Sequence, residues 1–166
     1  MTRGRRGNMV LEVAMWMPVL LLLITGVIQF GKITYLYYTL RKIEYTVARS
    51  VSIASGVNFC PDASDTLIQG AIEFALTGTS DGSGTPLVSN LTPAMISVTT
   101  ECIDPATGLP GTCDTSGCDT AVGARRPDYV VVTIPDGYRV QPRIPFVLLD
   151  PFQLKPTVAV PFGGVS

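Results

Sequence analysis

Four cysteines are the residues of this chain with the most readily assigned chemistry. Cys60, Cys102, Cys113 and Cys118 all follow a long apolar stretch near the N-terminus. In an exported domain, four cysteines favour two disulfides, and we expect Cys102 to bond to Cys113 or Cys118 while the remaining cysteine reaches Cys60. A zinc site made of four thiolates is the alternative. Only Cys113 and Cys118 approach the close spacing of zinc ligands, so the sequence predicts neither a metal nor a cofactor.

A single carboxylate, Glu12, stands immediately before the apolar stretch. Residues 13–31 carry no charge, and residues 1–7 form a basic leader that contains Arg3, Arg5 and Arg6. Carrying a carboxylate to the centre of a bilayer costs about 2.5 to 3.5 kcal/mol. We therefore expect Glu12 to have a dedicated partner rather than to lie in lipid alone.

The composition excludes several classes of function. The chain has no histidine, which removes the usual general base near neutral pH, a Ser-His-Asp triad and any histidine-containing metal site. A net charge of −1 without a basic stripe argues against binding to nucleic acid. An exported enzyme would need Asp or Ser chemistry, and no paired-carboxylate motif stands out. We expect no catalytic activity, and we expect proteins or lipid as partners.

Residues 13–31 are long enough to cross a bilayer, because a helix of this length extends about 28 Å. The three arginines of the leader favour a cytoplasmic N-terminus and a C-terminal domain on the other side of the membrane. Basic residues also follow the stretch and act as a counterweight: Lys32, Arg41, Lys42 and Arg49. The sequence thus predicts a single-pass membrane protein.

The helix is predicted to continue beyond the membrane. Residues 33–54 contain no Pro or Gly, and apolar residues recur there at spacings of three and four. One helix over residues 8–54 follows, ending before Gly56, with a kink or local unwinding near Ala14 caused by Pro18.

Residues 55–166 are expected to form a small α+β domain beyond the membrane. Asp62 or Ser64 is predicted to cap one amphipathic helix that ends at Gly78. Strand patterns follow at 96–99, 129–134, 140–149 and 157–162. We expect an antiparallel sheet of three or four strands against the amphipathic helix and the upper part of the long helix.

The order of the N-terminal features resembles the class III signal of type IV pilins and pseudopilins. In that family a prepilin peptidase cuts after Gly and leaves Glu as the fifth mature residue; here the cut would fall between Gly7 and Asn8, and Glu12 would be fifth. The run 6–23, followed by 26–32 with Gly26, Phe30 and Lys32, is similar to TadE-like proteins of the tight adherence (Tad) pilus. Asn8 and Val13 depart from the apolar residue and the Tyr that are common in this family at those positions.

The resemblance implies a structural function for the chain. A minor pilin or pseudopilin would be made as a bacterial inner-membrane precursor with a periplasmic domain and, once cut, contribute to pilus assembly, priming or surface adhesion. Its partners would be the prepilin peptidase, other pilin subunits, inner-membrane assembly proteins and the lipid bilayer. The new N-terminal amine of one subunit could pair with Glu12 of a neighbour. The alternative is a bitopic scaffold or binding module that keeps its leader.

Overall fold

A computed structural model of the chain describes residues 4–59, 65–113, 126–144 and 149–163. Its first element is helix α1, Gly4–Ile53, of 50 residues. The helix begins four residues before Asn8, the start expected from the sequence. Arg5 and Arg6 are good helix formers, and adding a turn to an existing helix needs no new nucleus. Helix α1 ends just before Gly56, which adopts a φ of 77°.

Helix α2, Thr66–Thr77, is the predicted amphipathic helix. Its cap is Asp65, whose Oδ1 accepts a 2.7 Å hydrogen bond from the backbone N–H of Leu67. The expectation that Asp62 or Ser64 caps the helix was therefore wrong, and both of those residues lie outside the described ranges. The other carboxylate oxygen of Asp65 accepts from the backbone N–H of Asn58, so one side chain holds both the start of α2 and the preceding loop. Gly78 ends the helix in the left-handed conformation, as predicted.

The strands form a four-stranded antiparallel sheet, which confirms the α+β fold class. Its strands are β1 (Ser97–Ile103), β2 (Pro110–Thr112), β3 (Tyr129–Thr133) and β6 (Thr157–Pro161), arranged in the order β2-β1-β3-β6. Two further strands, β4 (Tyr138–Val140) and β5 (Phe152–Leu154), form a separate two-stranded sheet.

Two details of the sheet differ from the sequence pattern. Strand β2 was not expected, because Pro110 and Gly111 are poor strand formers and only their pairing with Ile103 and Cys102 makes them extended. The strand predicted over 140–149 was wrong at its start, because β4 ends at Val140 and residues 141–143 form no strand; residues 145–148 lie outside the described ranges. Pro142 follows closely and cannot donate to a strand ladder.

One face of the four-stranded sheet is buried. Val130 and Val132 of β3 are fully buried, and their partners across the sheet are Thr100 and Val98 on β1. Val158 on β6, the partner of Val132, is also buried. On the opposite face Thr99 and Ala159 are exposed, whereas Val131, which pairs with both, is buried. The alternation along β6 is the pattern of an antiparallel sheet with one face on a core.

The chain divides into two compact units. One contains Met1–Leu36 and Arg139–Phe152, and the other contains Tyr37–Tyr138 and Gln153–Ser166. The core of the second unit combines buried apolar residues from the end of α1, from α2 and from the sheet: Leu40, Val47, Val51, Ile72, Leu76, Val130, Val132, Ile134 and Val158. The backbone N–H of Gly163 donates a 3.0 Å bond to the carbonyl of Ser52, which joins the end of the sheet to α1 within this unit.

Candidate membrane and assembly segment

The first half of α1 exposes its apolar side chains instead of burying them. Within the described residues, α1 is the one helix long and apolar enough to cross a membrane; its most apolar window has a mean hydropathy of 2.2 and none of it is buried. Val27 and Phe30 are each 73% exposed. An exposed apolar surface of this extent requires lipid or other apolar helices around it.

Glu12 lies at the start of this apolar surface and is itself exposed. It borders a shallow groove along α1 whose lining is otherwise apolar apart from Thr25 and includes Met9, Val13 and Trp16. None of the described side chains forms an ion pair with its carboxylate. The arrangement places a charge that needs a partner on a surface that suits another apolar helix.

The bond between Gly7 and Asn8 lies in the first turns of α1, so both residues have helical backbone. Pro18 also lies inside α1, and the residues around Ala14 stay helical. Local unwinding near Ala14 is therefore not observed, and a kink near Ala14 caused by Pro18 stays a prediction.

Comparison with protein-family models matches residues 7–49 to the family described as TadE-like protein. This segment is TadE-like. The match begins at Gly7 and runs to Arg49 near the end of α1. It confirms, over this segment, the resemblance drawn from the sequence. No curated protein and no solved structure matches the chain.

The TadE-like segment contains a buried acid that the sequence pattern did not predict. Glu44 is fully buried, and within the described residues neither of its carboxylate oxygens has a hydrogen-bond partner. Burial raises the pKa of Glu44 to about 7, and the positive charge of Arg41 offsets part of that rise. Position 44 falls on the apolar stripe that includes Leu40 and Val47. This spacing is the sequence feature that could have indicated the burial of Glu44.

A second missed residue of the TadE-like segment is Gln29. Its side-chain Nε2 donates a 2.7 Å hydrogen bond to the backbone carbonyl of Arg143. The two residues belong to the same compact unit. An amide inside a charge-free apolar stretch needs a hydrogen-bond partner. The position of Gln29 in that stretch could therefore have indicated such a contact.

Outside the TadE-like segment, Cys102 and Cys113 form a disulfide with a Cα to Cα distance of 4.8 Å. This bond joins the end of β1 to the residue after β2, and it excludes a zinc site that uses both thiolates. Cys60 and Cys118 lie outside the described residues, so a bond between them stays a prediction.

Proposed function

We propose that this chain is the precursor of a minor pilin or pseudopilin of a Tad-like type IV pilus. The observation that carries the proposal is the TadE-like segment itself, which has Gly7 at its start and an exposed apolar helix with Glu12 at the edge of the apolar surface. The TadE-like family is structural rather than catalytic, which agrees with a chain that has no histidine.

In this proposal a prepilin peptidase cuts between Gly7 and Asn8 while α1 is in the inner membrane. Loss of the leader removes Arg3, Arg5 and Arg6 and changes the formal net charge from −1 to −4. These arginines hold the N-terminus on the cytoplasmic side of the membrane, so their removal frees the helix to leave the bilayer.

Assembly then places the exposed half of α1 among the helices of other subunits. The surface that lipid covers in the precursor is covered by apolar helices in the filament, so little apolar area is exposed to water at any stage. The amine of Asn8 pairs with Glu12 of a neighbouring subunit, which neutralises two charges in an apolar environment. Other pilin subunits and inner-membrane assembly proteins are the partners in this step.

The second candidate is a bitopic scaffold that keeps its leader. It is favoured by Asn8 and Val13, which depart from the common residues at those positions. An uncut leader would keep three arginines at the membrane surface and oppose transfer of the helix into a filament.

The intact mass of the chain recovered from membranes distinguishes the two candidates. It is measured with and without the matching prepilin peptidase, and a chain with the Gly7→Val substitution serves as a control. The proposal predicts a mass equal to residues 8–166 only when both the peptidase and Gly7 are present. A full-length mass in every sample would reject the pilin precursor and favour the scaffold.

A further inference from the structure

The segment Arg139–Phe152 lies in the same compact unit as the membrane helix and far from it in sequence. We propose that the described parts of this segment, residues 139–144 and 149–152, dock on the lipid headgroups of the bilayer that α1 crosses, at the level where the charge-free stretch of α1 stops. The inference rests on the proposed transmembrane placement of α1, and it adds a second contact between the chain and the membrane.

The hydrogen bond from Gln29 to Arg143 fixes the level of the segment along α1. Gln29 stands two residues before Gly31, the last residue of the charge-free stretch, and this separation corresponds to about 3 Å along a helix axis. The carbonyl of Arg143 accepts from the Gln29 side chain at 2.7 Å. If residues 13–31 fill the hydrocarbon layer, the backbone at Arg143 lies at its boundary with the headgroups.

The side chains at this end of the unit suit that boundary. Leu149 is 41% exposed and Phe152 is 39% exposed, so both present apolar surface outside the fold. Arg139 and Arg143 are exposed as well. Apolar side chains next to arginines are typical of segments that lie in a membrane interface, where the apolar groups enter the acyl boundary and the guanidinium groups meet phosphates.

The charge at this end of the unit is complementary to anionic lipid. Lys32 directly follows the charge-free stretch and is exposed, which adds a third cation to Arg139 and Arg143. Asp150 is the one exposed carboxylate in the described part of the segment. Each cation near an anionic membrane surface contributes about 1 kcal/mol to binding. Three cations against one carboxylate therefore favour contact with anionic lipid over exposure to water.

The chain offers a direct depth measurement because Trp16 is its only tryptophan. The full-length protein is placed in vesicles of phosphatidylethanolamine and phosphatidylglycerol that contain lipid with a nitroxide near the headgroup, and quenching of the indole is recorded. Three chains are compared: the parent, Trp16→Phe with Leu149→Trp, and Trp16→Phe with Leu87→Trp. Leu87 is the control position, because it is also an exposed leucine, at 65%, and belongs to the other compact unit.

The Leu149→Trp chain is expected to show several-fold stronger quenching than the Leu87→Trp chain, at a depth of about 5–10 Å below the headgroups. A Phe152→Trp chain in the same Trp16→Phe background should give the same result, which guards against a local effect of one substitution. Quenching no stronger than in the Leu87→Trp chain overturns the inference, and a blue-shifted but unquenched indole shows that protein, such as a second copy of the chain, covers the segment.

Quenching of Trp16 in the parent chain tests the transmembrane placement of α1 separately from the docking of the segment. Strong quenching of Trp16 with weak quenching of both segment variants keeps the membrane helix and rejects the docking of the segment. Weak quenching of Trp16 rejects the transmembrane placement of α1, and the inference falls with it. Cleavage at Gly7 is measured independently by mass, so the pilin proposal is not decided by this experiment.

Discussion

The side-chain Nε2 of Gln29 donates a 2.7 Å hydrogen bond to the carbonyl oxygen of Arg143, which lies 114 residues further along the chain. This contact joins the apolar helix to the segment Arg139–Phe152 inside one compact unit. Both partners are polar groups next to an apolar surface, where a lost hydrogen bond is costly.

Replacing Gln29 with Met, which has a similar shape and no amide, should loosen the segment. A hydrogen bond of this kind contributes about 1 kcal/mol, so local opening should become about fivefold more frequent. Trypsin can cut after Arg143 when the segment opens, and the rate of that cleavage is the measurement.

Thr25→Val is the matched control for Gln29→Met. Among the described residues, the Thr25 hydroxyl bonds to carbonyls of α1 itself, at 2.8 Å to Leu21 and 3.0 Å to Leu22. Equal cleavage rates after Arg143 in the Gln29→Met, Thr25→Val and parent chains would show that the Gln29 bond does not hold the segment.

Glu44 should make the stability of the domain depend on pH. Its pKa is raised from 4.5 to about 7 in the folded chain, so the folded state binds the proton more tightly than the unfolded state does. Stability is then greatest below about pH 4.5, falls as pH rises to about 7, and is constant above that. The free energy of unfolding differs by about 3 kcal/mol between the two ends of this pH range.

The Glu44→Gln chain tests this dependence, because it removes the charge and keeps the shape. Its melting temperature in detergent should change little between pH 5 and 8, and at pH 8 it should exceed that of the parent. Glu73→Gln, at a partly exposed position of α2, should melt like the parent at each pH. A parent chain whose stability stays level or rises with pH over this range would contradict the assignment. Asp81 does not interfere, because hydrogen bonds from Ser83 lower its pKa and it titrates below this pH range.

The observed disulfide and the predicted second one can be located after cleavage on the N-terminal side of aspartate. Asp62, Asp104, Asp114 and Asp119 divide the chain so that each cysteine falls in a different peptide. The expected linked pairs are Cys102 with Cys113, as observed, and Cys60 with Cys118. A peptide that links Cys102 to Cys118 would contradict this connectivity.

Removing the Cys102 to Cys113 bond should destabilise the β1 and β2 hairpin. The bond closes a loop with a sequence separation of 11, and the entropy of that loop corresponds to about 3 kcal/mol. The Cys102→Ala, Cys113→Ala double variant should unfold at a lower denaturant concentration by an amount of that order, measured at constant pH. An unchanged midpoint would show that the loop is ordered without the bond.

Gly137→Ala is predicted to destabilise the chain by about 2 kcal/mol or more. Gly137 has a φ of 71°, and a Cβ there would come within 2.9 Å of the Gln153 Cβ and 3.2 Å of the Leu154 carbonyl oxygen. Gly108 has nearly the same φ, 70°, with nothing within 4 Å of such a Cβ. Gly108→Ala therefore carries the backbone strain alone and should melt at a higher temperature than Gly137→Ala. Equal melting temperatures would show that the close approach costs nothing.

Glu12→Gln should separate processing from assembly. The substitution keeps Gly7 and the apolar helix, so the peptidase should still remove the leader, whereas the neutral side chain cannot pair with the amine of a neighbouring Asn8. The expected result is a processed chain that stays in the membrane fraction. Filament incorporation equal to the parent would show that the pairing is dispensable.

Much of this architecture follows from short-range patterns in the sequence. The charge-free stretch, the spacing of Leu40, Val47 and Val51, and the left-handed stop at Gly78 each depend on nearby residues, and the structure has the expected element at each place. The TadE-like resemblance also depends on one continuous run of residues.

The features that could not be predicted from the sequence depend on contacts between distant residues. Strand β2 is extended because it pairs with β1, although Pro110 and Gly111 do not favour a strand. Gln29 acquires its role only through Arg143, and Glu44 is a charged residue on a stripe that the fold buries. Local propensity carries no information about such partners.

The most direct test of the proposed pilin function is the N-terminal residue of the chain in filaments sheared from the cell surface. The filament and membrane fractions are digested, and the N-terminal peptides of this chain are identified in each by mass. Chains in the filament fraction are predicted to begin at Asn8. Finding the chain only in membranes, with residues 1–7 still attached, would contradict it.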